Sequence, residues 1–218
     1  MTVQYDSIGS LTNWIQNTSP ELKRDYLKNK IEHSGIYRVK PGTINLIGKA
    51  PNTYYTWQLY LRRCLFEPKF VYTAADLLLS QLPNVPRQFA AVEDAGLPLA
   101  QALATLSGSN WISVKKQRKQ YGLLNWTEGV VNGAPLVLVD DLAGSQASLK
   151  NARYVLEAFK LNVAPYYMTL MNKTKGTHHS NYLDDIKLVS LFTCDDFAMS
   201  WQEYIDRYRC EPDFGRIY

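Results

Sequence analysis

The 218-residue chain is short of several things, and each shortage excludes a class of protein. It has only three cysteines, Cys64, Cys194 and Cys210, an odd number at wide spacing with neither a CxxC pair nor a zinc pattern. A disulfide scaffold and a structural zinc site are therefore not expected, and a reducing cytoplasm is the expected location. No apolar run approaches the roughly 20 residues needed to cross a bilayer. The stretch from Met1 to Ser10 has no basic segment followed by an apolar one, so no secretory signal is read there. The formal net charge of +4 is too small to imply a nucleic-acid partner by itself. No internal repeat, low-complexity segment or interdomain linker is visible.

What remains is the composition of a globular protein, 46% hydrophobic and 20% charged, long enough for one α/β domain with a sizeable core. Residues up to about His33 read as one or two helices, with Ser19 as N-cap, Pro20 at the first helical position, and Leu22, Tyr26, Leu27 and Ile31 at helical spacing. From Tyr37 to Arg63 the pattern is β-like, broken by Pro41-Gly42 and Pro51-Asn52. Ala74–Leu82 is expected to be helical. Beyond Phe89, short apolar runs alternate with helical patterns: strands at Phe89–Val92, Trp111–Val114, Leu136–Val139, Val163–Leu170 and Ile186–Phe192, helices at Leu99–Leu106, Ala147–Phe159 and Phe197–Tyr208. Unbroken apolar strands alternating with helices predict a mostly parallel sheet flanked by helices, with ligands at the carboxyl ends of its strands.

The segment Leu136 to Ser148, LVLVDDLAGSQAS, concentrates the chemistry. An apolar strand runs into Asp140 and Asp141, then into a turn of small residues that opens a helix. Exposed amides at a helix start favour a phosphate. Gly144 permits close approach, and the hydroxyls of Ser145 and Ser148 add donors. Paired carboxylates suit vicinal sugar hydroxyls, directly or through Mg²⁺ waters. As an isolated pattern, Asp-Asp after a strand is equally well read as the cap of the next helix.

The thirteen residues together resemble the diphosphosugar-binding motif of type I phosphoribosyltransferases, with two departures: Ala143 replaces a larger aliphatic residue and Gln146 replaces a glycine or other small residue. Lys115 to Gly122, KKQRKQYG, resembles the catalytic loop of orotate phosphoribosyltransferases, roughly R-K-E-x-K-D-[HY]-G, with Gln117 and Gln120 replacing the acids. Gly96 to Ala100, GLPLA, resembles the family's pyrophosphate loop, although Ala95 stands where a lysine is frequent. Lys49 with Tyr54-Tyr55 faintly resembles the base-binding hood. Asn172-Lys173 lies where an aspartate–arginine step is common.

The resemblance implies a single type I phosphoribosyltransferase-like α/β domain: helices and a small N-terminal hood over 1–70, a core over 71–200, and a C-terminal helix and tail over 201–218. It implies transfer of 5-phosphoribosyl from 5-phosphoribosyl 1-diphosphate (PRPP) to a nucleobase, most readily orotate. Lys119, Asp140 and Asp141 would be catalytic, and the two aspartates would hold Mg²⁺ through water. Gly144, Ser145, Gln146, Ala147 and Ser148 would bind the 5′-phosphate, Lys115, Lys116 and Tyr121 the pyrophosphate, and Lys49, Tyr55 and Lys173 the base. It also implies a homodimer whose lysine-bearing lid is shared across the interface, with neither membrane nor nucleic acid as partner. Two other readings stay open: a non-catalytic PRPP or nucleotide sensor on the same fold, and a nucleic-acid binder using Lys115–Lys119 with Trp111 and Tyr121.

Overall fold

The computed structural model describes residues 8–38, 46–47, 54–55, 57–85, 87–117, 125–144, 146–173, 182–183 and 186–197. Two helices lead: α1 (Ile8–Asn17) and α2 (Pro20–Lys30), followed by a single π turn at Ile31–Gly35. Ser19 caps α2 as expected, its hydroxyl accepting from the Leu22 amide at 3.3 Å, with Pro20 supplying the preset first turn. The hood then follows as four short strands, β1 (Ile36–Arg38), β2 (Leu46–Ile47), β3 (Tyr54–Tyr55) and β4 (Trp57–Leu59), which pair antiparallel as β1 with β4 and β2 with β3. The β-like region does not run on to Arg63: Arg62–Leu65 forms the short helix α3.

Helix α4 spans Pro68–Leu79, six residues earlier in its start than the apolar pattern suggests, because Pro68 sets the first turn and Phe70 and Val71 face the core. The core then runs β5 (Gln88–Val92), α5 (Leu97–Ser107), β6 (Trp111–Val114), β7 (Thr127–Gly129), β8 (Leu136–Ala143), α6 (Ala147–Ala158), β9 (Val163–Asn172), β10 (Tyr182–Leu183) and β11 (Ile186–Thr193). Strands β7 and β10 escape sequence reading because they are short and carry little apolar signal. The expected helix over Phe197–Tyr208 lies outside the described residues apart from Phe197, which ends a 3₁₀ turn begun at Cys194.

The central sheet has seven strands in the order β10-β11-β9-β8-β5-β6-β7. The five inner strands are parallel, and both edge strands are antiparallel to their neighbours. Both faces are covered, which explains the unbroken apolar run of β8: Val137 and Val139 enter the core beneath α4 and α5, while Leu136 and Leu138 enter the one beneath α6.

The order of connections decides where a ligand fits. From β5 the chain moves outward to β6; from β8 it moves the opposite way, to β9 and then β11. The two directions diverge between the carboxyl ends of β5 and β8, the place where open α/β sheets form a crevice. Pairing of β5 with β8 stops at Ala91 and Val139, whereas β8 continues alongside β9 through Asp140–Thr169, Leu142–Met171 and Ala143–Asn172.

Candidate active site

That overhang carries the aspartates. Sequence reading ends the strand at Val139, but β8 runs to Ala143, so Asp140 and Asp141 stand within a strand extension supported from one side by β9. The helix-cap reading of the pair is thereby excluded, since the residue before α6 is Gln146. Asp140 is buried and Asp141 half-buried, and the Asp141 amide donates to Asp140 Oδ1 at 2.9 Å. Burial, and then the neighbouring Asp141 charge, hold the Asp140 carboxyl well above the ordinary range. Burial also raises Asp141, opposed by a hydrogen bond from Asp140 and by the positive charges of Arg62 and Lys116. Among the described residues neither aspartate has a salt bridge. A buried carboxylate pair short of compensating charge is a place for a ligand with cations or hydroxyls.

The crevice is closed on the β5 side by the turn Glu93–Gly96. The Gly96 amide donates to Val92 O at 3.1 Å and Gly96 O accepts from the Ala100 amide at 3.0 Å, which launches α5. A Cβ at Gly96 would run into the Val139 carbonyl and lie 2.9 Å from Val92 O and 3.2 Å from Asp140 Cα. Glycine here is what lets the turn touch the strand that bears the aspartates. The Glu93–Asp94 peptide is cis. Ser113 donates to Glu93 at 3.1 Å, so that carboxylate is engaged. A cavity of about 590 Å³ lies on the far side of this turn, against Trp111, Ser113 and Glu128; it borders Glu93 and none of the aspartates.

At the start of α6, Gly144 is half-buried and a Cβ there would meet nothing within 4 Å. Gln146 adopts φ 60°, ψ 4°, the left-handed region, and is buried; its carbonyl accepts from the Lys150 amide at 2.9 Å. This is the position where the resembling motif has glycine or another small residue, and the backbone adopts a conformation that glycine enters without strain. Ala147 is exposed and Ser148 half-buried in the first helical turn, while Ser145 lies outside the described residues.

The lysine cluster divides. Lys115 is buried, its amide donating to Trp126 O at 2.9 Å and its ammonium paired with Glu128 on β7. A buried ammonium needs an acid, and β7, invisible in the sequence, delivers it. Lys116 is exposed, and its positive charge is felt by both Asp140 and Asp141. Lys119 and Tyr121 lie outside the described residues, as does Lys49; of Tyr55 only the backbone in β3 is described. Lys173 is half-buried just past β9, its amide donating to Ala143 O at 2.7 Å, so it stands level with the end of the aspartate strand. Arg62 was not singled out by sequence reading. Its only signal was its place directly after the hood strands.

No family profile matches the chain. The orotate phosphoribosyltransferase of Methanococcus maripaludis is 23% identical over 166 residues, covering 74% of this chain and 88% of that protein. The structure of Mycobacterium tuberculosis orotate phosphoribosyltransferase in complex with PRPP superposes with a TM-score of 0.63 at 15% identity, covering 81% of this chain and 99% of that one. That of the orotate phosphoribosyltransferase from Aeropyrum pernix gives 0.63 at 24%, covering 78% and 94%. The architecture, the switch-point crevice and these superpositions define the class: the chain has the type I phosphoribosyltransferase fold. Within that class its sequence resembles the orotate phosphoribosyltransferases.

Proposed function

We propose that the protein transfers the 5-phosphoribosyl group of PRPP to orotate, giving orotidine 5′-monophosphate and pyrophosphate. The observation that carries the reading is the acid pair, Asp140 buried and Asp141 half-buried with no salt bridge among the described residues, standing on an overhang of β8 between a glycine-launched turn and the start of α6. In the reaction the bond between C1′ and the diphosphate oxygen breaks, its electron pair leaving with pyrophosphate. The base nitrogen forms the new bond to C1′ and gives up its proton. Such a displacement passes through a cationic sugar and calls for positioning and charge more than for a protein nucleophile.

Asp140 and Asp141 are assigned the ribose hydroxyls and Gly144 to Ser148 the 5′-phosphate. Lys116 is assigned the diphosphate and Lys119 the departing pyrophosphate, while the buried Lys115 is committed to Glu128. Lys49, Tyr55 and Lys173 remain the assigned base contacts from the sequence. The aspartates also fit Mg²⁺: they are hard oxygen donors in need of positive charge. Among the described residues no group of three or more acids, histidines or cysteines could hold an ion alone. Mg²⁺ held there, through water, supplies charge neutralisation to the diphosphate. A homodimer sharing its lysine lid and a cytoplasmic location complete the proposal; among the described residues no helix is long and apolar enough to cross a membrane.

The test is the double variant Asp140→Asn/Asp141→Asn, assayed for pyrophosphate release from Mg²⁺–PRPP and orotate. Turnover is expected to fall by at least roughly 10²–10³-fold. The melting temperature is expected to hold or rise, because two repelling buried acids are replaced by neutral amides. Unchanged turnover would refute the assignment. A second reading, PRPP binding without catalysis, is favoured by two observations, the buried Gln146 in the phosphate turn and the buried Ala95 in place of a lysine. Wild-type protein that is stabilised by Mg²⁺–PRPP yet releases no pyrophosphate with any base would establish it.

A further inference from the structure

Just past the carboxyl end of β6 the chain is fastened from three sides. The Glu93 amide donates to Val114 O at 3.0 Å and the Ser113 hydroxyl to Glu93 at 3.1 Å, which ties the last residues of β6 to the turn beside the aspartates. The Lys115 amide donates to Trp126 O at 2.9 Å and extends the β6–β7 ladder one step beyond the Val114–Thr127 pair. The buried Lys115 ammonium pairs with Glu128, which stands opposite Ser113 on β7 and is itself exposed. From the third side Asn151, in the second turn of α6, donates to Lys116 O at 3.4 Å. Lys116 is exposed and has no ion-pair partner among the described residues, and both Asp140 and Asp141 feel its charge.

We infer that Lys115 and Glu128 are a positioning pair, which sets the backbone of Lys116 and so the place from which Lys116 offers its charge to the diphosphate. This role rests on the proposed transferase reading and divides the work of two adjacent lysines: Lys116 meets substrate and Lys115 does not. A lysine is a point charge on a flexible stem, so where it acts depends on where its Cα is held. The Cα of Lys116 is held on one side by the Lys115 ion pair and on the other by Asn151. A buried ion pair is a weak source of stability, because apolar residues of similar volume often replace it at no loss. Its use lies in selecting one arrangement: with Glu128 in place the Lys115 side chain turns to β7 and leaves the edge of the crevice to Lys116. Because Glu128 is exposed, removing the lysine charge leaves the acid in water and buries no lone charge.

The experiment measures melting temperature, kcat/KM for Mg²⁺–PRPP with orotate, and calorimetric binding of Mg²⁺–PRPP. It compares wild type, Lys115→Met, Lys115→Arg, Lys116→Ala and the double variant Lys115→Met/Lys116→Ala. Lys115→Met keeps a long stem without the charge, so its melting temperature is expected to hold or rise. Its kcat/KM is expected to fall about 10- to 100-fold, the scale of a small misplacement of a working group, and Lys115→Arg to restore most of the loss. The double variant is expected to be no worse than Lys116→Ala alone, since the pair acts only through Lys116. Losses that multiply in the double variant would overturn the inference, because Lys115 would then touch substrate itself. So would a Lys115→Met variant with wild-type kcat/KM, whatever its melting temperature, because the pair would then serve the fold alone. If wild type binds Mg²⁺–PRPP but releases no pyrophosphate, the transferase reading fails, and the same cycle read in the dissociation constants decides the role of the pair. If wild type binds no Mg²⁺–PRPP, both fail.

Discussion

Gln146 carries a long polar side chain, buried, at a backbone position that L-residues enter at a cost of roughly 1–2 kcal/mol. Gln146→Gly is expected to raise stability by about 0.5–1 kcal/mol, and Gln146→Ala, which keeps the φ penalty and loses the contacts, to lower it; urea midpoints decide between these outcomes. A second residue works against the fold from within the sheet. Tyr167 on β9 is fully buried, and its hydroxyl has no hydrogen-bond partner among the described residues. Burial pushes the phenol above its ordinary range. Removing that hydroxyl in Tyr167→Phe leaves the packing intact and is expected to stabilise the protein by about 1 kcal/mol, read by chemical denaturation. At this scale the sequence shows the identities of Asp140, Asp141 and Gln146 and the departure at Gln146 from a glycine. It does not show that the backbone at Gln146 is left-handed despite the side chain.

Elements show why part of the site was legible and part was not. Strand β8 announces itself as four consecutive apolar residues because it is covered on both faces, and α6 announces itself by Leu149, Ala152, Val155 and Leu156. The end of β8 is not so announced: aspartates have low strand propensity, and only pairing with β9 carries the strand on to Ala143. Lys115 reads as one cation of a run, whereas the short strand β7 brings Glu128 to it across the sheet edge. The turn into α5 gives a prediction of its own. With the Val139 carbonyl and Asp140 Cα so near, Gly96→Ala must displace either the turn or the aspartate strand. It is expected to cost about 2 kcal/mol and to lower turnover more than ten-fold; a melting temperature and kcat equal to wild type would show that β8 yields freely.

The whole molecule is tied together by N-terminal helices that reach across the core. Lys23 is buried between Ile15 O and Asp76 at 2.7 Å, joining α2 to α4. Arg24 stacks 4.5 Å over Phe192 and pairs with Asp196, which accepts from the Thr193 amide at 2.7 Å and the Thr193 hydroxyl at 3.1 Å. Partial burial raises the Asp196 carboxyl, but the hydrogen bonds from Thr193 and the charge of Arg24 outweigh it and leave it below its ordinary 3.8. A carboxylate depressed on folding stabilises the protein above its unfolded value, and the contribution is lost as pH falls through the folded value. Asp196→Asn is therefore expected to be less stable than wild type at pH 7, with the gap closing as pH drops below about 3.8; urea midpoints at both pH values test it. A gap that persists unchanged at pH 3 would assign Asp196 a role independent of its charge.

The sequence by itself determined the α/β alternation, the central strand, the phosphate-turn composition and the lysine run, because these are local: burial on two faces, helix periodicity and turn chemistry are each written within a dozen residues. Only tertiary structure decided how far β8 extends, which lysine is paired, and that the crevice opens between β5 and β8. Those facts depend on strand order and on contacts between segments far apart in the chain, and no local pattern of residues encodes a distance across a sheet.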